Sequence, residues 1–358
     1  MYSFFKDLKV VELANVLAGP AVGMFFAELG ADVIKIENRT TGGDVTRSWK
    51  LPSEDKTLNT SAYYASVNWN KKVRLLDIKN KDERAKVYEL LRDADIVITN
   101  YKAGDAVKLG MDFDTLKKIN PTLIYAHLSG FGEDSKRTAF DIVLQAETGY
   151  MFMNGTTESG PIKMPVALID ILAAHQLKEG ILVALINRIK TGAGCKVTVS
   201  LFDAAVASLA NQATNWLMAA HDPQPMGSLH PNIAPYGELF TTADQKLIVL
   251  AVGNDKQFKQ LCAVLKLNTA TANEKFISNT DRVRNRKELF EVLQTEIIKH
   301  SSDELMKELI NADVPAGLIK SVKELLENKS CEKLILEEKD ATGIISSRIK
   351  TSIFNITR

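Results

Sequence analysis

The chain has 358 residues, with 45 Lys and Arg against 44 Asp and Glu, a formal net charge of +1 and 45% apolar residues. That balance excludes a basic or acidic face built for nucleic acid or an anionic membrane, and the length suffices for two domains with a sizeable core. Cys195, Cys262 and Cys331 are odd in number and far apart, which argues for reduced thiols in a cytoplasmic protein and against a disulfide framework or a metal site.

Met1 to Lys6 leads straight into a strand pattern without the run of a signal peptide, and no unbroken apolar stretch reaches roughly 18 residues, so no membrane span is expected. Leu8 to Ala14 reads as a strand, and Ala18 to Gly30 as a helix closed by a glycine. Strands are then expected at Asp32–Glu37, Val73–Ile78, Asp95–Tyr101 and Leu123–Leu128, with a helix over Asp82–Ala94. Strand and helix alternating at this interval give βαβ units and a mostly parallel, Rossmann-like sheet, with ligands outside the carboxyl ends of the strands. A long helix over Leu168–Lys190 stops at Thr191-Gly192-Ala193-Gly194, and a strand at Cys195–Leu201 leads into one helix from Asp203 to Ala220. The breaker-rich segment His221 to Ser228 reads as a linker. Beyond it, a hairpin of Tyr236–Thr241 and Lys246–Val252, with helices at Asp255–Leu265, Arg282–His300 and Asp303–Ile310, predicts a smaller α+β domain. The domain reading is 1–220, completed by 330–358, then a linker at 221–229 and the small domain at 230–329.

One residue breaks the pattern of its surroundings. Asp170 is the lone charge in Pro165-Val166-Ala167-Leu168-Ile169-Asp170-Ile171-Leu172-Ala173-Ala174. An ionised carboxylate buried without partners is costly, so it is paired, protonated or functional. Two readings stay open here: a helix N-cap, for which Asp is favoured, or a reactive group. The first strand–helix turn, Asn15 to Pro20, lets a ligand approach backbone amides, but it lacks the G-x-G-x-x-G of a dinucleotide site. Lys35, Lys71, Lys72, Lys79 and Lys108 read singly as solvated charges. Together, near Tyr101, they suit a ligand with phosphates and a stackable base.

An ordered series of segments then makes the chain recognisable. Ala18-Gly19-Pro20, Asp32 to Glu37, Gly42-Gly43-Asp44, Asn70-Lys71-Lys72 with Leu76-Asp77, and Asn100-Tyr101 lie in the first third. Ser129 to Gly132, Phe140-Asp141 with Gln145-Ala146, Asp170, His230 to Tyr236, Ala251 to Asp255 and Val314 to Gly317 follow. The series resembles the family III CoA-transferases, a group with formyl-CoA:oxalate, carnitine and bile-acid members and α-methylacyl-CoA racemase as a relative.

The resemblance implies CoA transfer from an acyl-CoA to a carboxylic acid, with both as substrates, no permanently bound cofactor, no metal, no nucleic acid and no membrane. It implies Asp170 as nucleophile, forming an aspartyl anhydride and an aspartyl-CoA thioester. Burial should raise this carboxyl's pKa and a helix N-terminus lower it, and because a nucleophile must be ionised the helix end is expected to win. CoA contacts are implied at Val16, Leu17, Ala18, Asn38, Leu76, Lys79, Asn100, Tyr101 and Lys108, and a substrate-pocket position at Phe140. It further implies an interlocked homodimer. Three departures stand out. Asn38 replaces a common Arg, with Arg39 as the candidate substitute. The chain ends sooner after Gly317 than relatives do, and no glycine-rich run like the lid of the formyl-CoA branch is present. Phe140 stands where the racemase branch has a proton-transferring His, which disfavours racemase or epimerase activity. A degenerate CoA-binding protein is the other alternative, and a nicotinamide-dependent oxidoreductase lacks its fingerprint.

Overall fold

The computed structural model describes residues 4–267, 269–270, 273–339 and 343–357. Six short strands form one parallel sheet: β1 (Lys9–Glu12), β2 (Asp32–Glu37), β3 (Lys72–Leu75), β4 (Ile96–Thr99), β5 (Ile124–Ser129) and β6 (Lys196–Ser200). Their order is β3-β2-β1-β4-β5-β6. The chain therefore winds outward from β1 to one edge, then returns to β4 and winds to the other. The connections that leave the carboxyl ends of β1 and β4 run to opposite sides at this switch point, the place where such sheets bind ligands.

Helix α1 (Ala18–Glu28) follows β1, and ten of its eleven residues are buried, as an apolar sequence such as AGPAVGMFFAE requires. Two glycines permit its close approach to β1. A Cβ on Gly19 would stand 2.3 Å from the Ala14 Cβ, and one on Gly23 would stand 1.8 Å from Glu12 Oε2. Further helices are α2 (Lys81–Arg92), α3 (Asp105–Leu109), α4 (Phe113–Ile119), α5 (Asp141–Glu147) and α6 (Leu168–Thr191). Along α6 the buried residues Ile169, Asp170, Ala173, Ala174, Leu177, Ile181 and Ala184 keep a helical period. Gly192, in the left-handed region at φ +71°, ends α6 by donating to Arg188 O at 2.8 Å.

The single helix expected over 203–220 is two: α7 (Leu201–Ala207) and α8 (Asn211–Ala219). Ala210 at φ +48° breaks the path, and neither Gly nor Pro advertises it. The helix expected over 282–300 likewise divides into Asn279–Arg284 and Arg286–Ile297. The Asn285 side chain donates to Asp281 O and Lys275 O at the junction.

The described residues fall into two compact units. One holds 1–151, 163–223 and 332–358; the other holds 152–162 and 224–331. The segment 152–162, which the sequence reading put in the first domain, carries a two-strand turn at Gly155–Pro161, and Gly155 O accepts from the Gly227 amide. The second unit packs an antiparallel sheet of β7 (Tyr236–Thr241), β8 (Leu247–Ala251) and β9 (Ala316–Leu318) on a core that includes Phe240, Leu250, Phe258 and Leu293. A final hairpin of β10 (Ile335–Lys339) and β11 (Ile345–Ile349) belongs to the first unit. There the buried Glu28 of α1 accepts from Arg348 and from the Thr351 and Ser352 amides. Among the described residues no helix is long and apolar enough to cross a membrane.

Candidate active site

The turn after β1 is held at several points. The Asn15 amide donates to Asn100 Oδ1 at 3.1 Å, and Asn100 Nδ2 returns a bond to Asn15 O at 2.9 Å, tying the ends of β1 and β4 together. Val16 sits at φ +74°, an uncommon conformation for a β-branched residue that costs on the order of 1–3 kcal/mol. Its amide donates to Asp44 Oδ2 at 3.2 Å, which holds it there.

Under this turn lies a buried ion cluster. Lys35 Nζ contacts Glu12 Oε1 at 2.9 Å, Ala14 O at 2.8 Å and Asp44 Oδ2 at 3.1 Å. Lys71 Nζ contacts Glu12 Oε2 at 2.8 Å, Pro20 O at 2.8 Å and Asn68 Oδ1 at 3.1 Å. Burial disfavours both ammonium groups. Lys35, beside both Glu12 and Asp44, is nonetheless held above its ordinary value. Lys71 is pushed down to about 7 by burial; Glu12 opposes the fall and the Lys35 charge adds to it. These two lysines are scaffold and do not meet a phosphate as solvated charges. A polar atom buried this deeply must find its partners inside, and both have found them.

Three cavities open beside the turn with Asn15 in their lining, and two of them also share Tyr101. The first of these two, about 140 Å³, is lined by Val16, Leu17, Ala18, Asn100, Phe140 and Asp170, with Lys102 and Arg137 on its wall. The second, about 180 Å³, is lined by Asn38, Leu76 and Lys79 among others. Eight of the nine positions carried over for CoA thus collect around two adjoining cavities at the switch point. Lys108 lines neither; it is exposed on α3 and pairs with Asp105 at 3.0 Å. Arg39, the candidate substitute for a cation at Asn38, pairs with Glu83 at 2.9 Å.

Asp170 lies in the first turn of α6, but the N-cap is Ala167, so the capping reading is wrong by three positions. Its carboxylate makes no hydrogen bond among the described residues, although the residue is only 8% exposed. Burial, then the negative charge of Asp141, raise its carboxyl to about 7. The lowering expected from the helix end does not outweigh these two effects, and the Ile169 amide of the first turn donates to Asp141 Oδ1 at 2.7 Å. Gln145 bonds Asp141 Oδ2, and its own Oε1 accepts from the Met164 amide at 2.8 Å.

Sequence reasoning passed over Tyr63, whose hydroxyl is pushed up to about 12 by burial and by Asp170 and Asp141. Nothing in the short helix Ala62–Ala65 that carries it marks this position. No histidine among the described residues lines the Asp170 cavity. His127 is buried on β5 with Nδ1 2.8 Å from Thr99 Oγ1, and His175 is exposed on α6.

The sequence profile of CoA-transferase family III matches residues 5–341. The chain belongs to this family. It is 38% identical over 349 residues to a succinate–glutarate CoA-transferase of Agrobacterium fabrum, covering 95% of this chain and 86% of that one. It is 33% identical to the human succinyl-CoA:glutarate CoA-transferase, over 89% of this chain and 72% of that one. A CAIB/BAIF family protein from Brucella suis superposes with a TM-score of 0.87 at 35% identity, covering 99% and 93% of the two chains. Rv3272 from Mycobacterium tuberculosis gives 0.84 at 26% identity, covering 99% and 94%. As a family III enzyme, the protein moves CoA between an acyl-CoA thioester and a carboxylate.

Proposed function

We propose that the reaction runs through Asp170, and one observation carries this reading: a buried carboxylate with no hydrogen-bond partner that faces the cavity at the switch point. A carboxylate oxygen of Asp170 attacks the thioester carbonyl, the C–S bond breaks, and CoA leaves as thiolate from a mixed anhydride. The thiolate attacks the aspartyl carbonyl, and the first acid departs as carboxylate. The acceptor carboxylate then displaces the thiolate from the aspartyl-CoA thioester. The thiolate attacks the acceptor's acyl carbon, and Asp170 is regenerated. Covalent catalysis divides one difficult exchange into reversible steps, and the apolar flanks Leu168, Ile169 and Ile171 keep water from the anhydride. A carboxyl poised near 7 is more basic than an ordinary aspartate, which favours attack once it ionises.

Val16, Leu17, Ala18, Asn100 and Tyr101 would then meet the thiol and pantetheine arm, and Asn38, Leu76 and Lys79 the adenosine end, with Lys108 toward a phosphate. The relatives' substrates make short dicarboxylates, succinate and glutarate, the first acids to try. Phe140, in place of a histidine, supports transfer over racemisation. The reading includes a homodimer, which the exposed Trp216, Leu217 and Met218 of α8 suit. It also includes a cytoplasmic setting, which the three free thiols suit.

The test is incubation with succinyl-CoA and glutarate, followed by mass spectrometry of the Asp170 peptide. A hydroxylamine-sensitive adduct is expected on Asp170, and Asp170→Ala is expected to cut exchange by about 10³-fold or more. An unlabelled peptide together with an active Asp170→Ala enzyme would sink the proposal.

A further inference from the structure

The start of α6 carries no side-chain cap of its own, since Ala167 occupies the N-cap. Helix starts leave amide donors unsatisfied, and an aspartate in the first turn is well placed to take one. Here another aspartate does so. Asp141, the first residue of α5, accepts from the Ile169 amide at 2.7 Å, and the bond is made across 28 residues of sequence. Gln145, one turn along α5, bonds the other Asp141 oxygen and accepts from the Met164 amide, so one helical turn fixes both the strap before α6 and its first turn.

We propose that Asp141 is a positioning residue for the transfer reaction: it caps α6 from outside, leaves the Asp170 carboxylate unbonded toward the cavity, and places a like charge beside it that favours the acylated enzyme. The inference rests on Asp170 being the nucleophile. Ionised Asp170 and Asp141 repel each other. When Asp170 becomes an anhydride or a thioester it is neutral, and the negative charge has left on sulfur or on the departing carboxylate. The repulsion is relieved in each covalent intermediate and restored only in the resting enzyme. Asp141 thus acts on the resting state, as ground-state destabilisation by a fixed charge, without touching substrate.

The other groups around Asp170 do not supply this charge. Tyr63 and Tyr101 are phenols whose ionisation lies well above neutrality. Lys102 donates to Thr138 at 2.9 Å, and Arg137 pairs with Glu147 and lies over the Phe131 ring. The two cations on the wall are engaged elsewhere, and Asp141 is the anion that acts on Asp170.

Asp141→Asn tests this, because the amide oxygen still accepts from Ile169 while the charge is gone; its Nδ2 gives up the bond from Gln145 Nε2, a loss that lowers the rate equally at all pH values. The acid limb of kcat/KM is expected to move down by about one unit or more, so that exchange at pH 6 gains relative to pH 8. The fraction of enzyme trapped by hydroxylamine at equilibrium with succinyl-CoA is expected to fall several-fold. A purely structural role for Asp141 would lower the rate at all pH values and leave the limb in place, which overturns the proposal. Asp141→Glu keeps the charge and disturbs the cap, so it is expected to lose rate with an unmoved limb; a limb that moves as far as in Asp141→Asn also overturns it. Labelling of the wild-type Asp170 peptide keeps the two ideas separate. If the wild type is labelled and Asp141→Asn behaves like it throughout, only the role of Asp141 falls. If the wild type is unlabelled, the nucleophile falls and Asp141 with it.

Discussion

Glu37 and Asp44 lie under the first turn and are buried like Asp170, but their surroundings treat them in the opposite way. Burial pushes all three carboxyls up. Around Glu37 the bidentate Arg47 and the Tyr64 hydroxyl outweigh it, and around Asp44 the Lys35 charge and the Thr46 donors do, so both are held below the ordinary carboxylate range. Around Asp170 nothing opposes burial, and a second carboxylate adds to it. Saturated charges hold a shape, whereas an unsaturated one stores free energy that a reaction can release. The contrast separates scaffold from chemistry within a single domain, where burial alone would not.

The largest expected effect is on the saturated side. Glu12 serves both buried lysines through separate oxygens, so Glu12→Gln leaves one lysine a weaker acceptor and sets an amide donor against the other, with Asp44 still pairing Lys35. Breaking a buried pair from one side costs about 3–5 kcal/mol, and the melting midpoint should fall on the order of 10 °C. Because Lys35 and Asp44 hold the Val16 turn, KM for the acyl-CoA should rise as well. A variant with unchanged melting would show that the cluster is dispensable and that the comparison has its scaffold in the wrong place.

The opposite sign is expected at the unsaturated site. The folded-state carboxyl of Asp170 lies near 7, above its unfolded value near 3.8, so its ionisation is a penalty on the native state. That penalty is absent below about pH 4, grows between about pH 4 and 7, and is complete above about 7. Asp170→Asn removes it, so the variant should be inactive yet more stable than the wild type above pH 7, by up to about 4 kcal/mol. The advantage should vanish near pH 4. Glu37 and Asp44 run the other way: their contribution is present above their unfolded values and disappears as pH falls through their lowered ones. Melting curves of both proteins across pH 4 to 8 measure the difference directly, and a gain in stability that does not depend on pH would refute the assignment.

Much of this was legible in the sequence, for reasons that differ from element to element. Strands such as Asp95–Tyr101 announce themselves because both faces of a parallel strand are buried, and β4 is buried at every position. Asp170 was visible because a charge in an apolar run is rare. Lys35 and Lys71 were misread, since a lysine near a strand end looks the same whether it faces water or Glu12. The external cap by Asp141 was illegible in principle: it joins two helix starts 28 residues apart, and no local pattern encodes a partner at that distance. The break at Ala210 was missed because its positive φ falls on a residue with high helix propensity.

The smallest expected effect sharpens the comparison at its exposed edge. Lys108 is neither saturated like Lys35 nor confined like Asp170. It is paired with Asp105 three residues earlier on the same short helix, and 76% of its side chain is exposed. Exposed pairs of this kind contribute little to stability, so Lys108→Ala should leave the melting midpoint within about 1 °C of the wild type. If Lys108 meets a CoA phosphate, KM for the acyl-CoA should rise several-fold at low salt, and the difference should shrink as ionic strength increases, because screening weakens an exposed contact first. Lys79→Ala provides the internal control, since Lys79 lines the cavity that Lys108 does not reach. A KM that responds to Lys79 and ignores Lys108 at every salt concentration would remove Lys108 from the binding surface. It would also leave Lys79, on the wall of the second cavity, as the cation of the adenosine end.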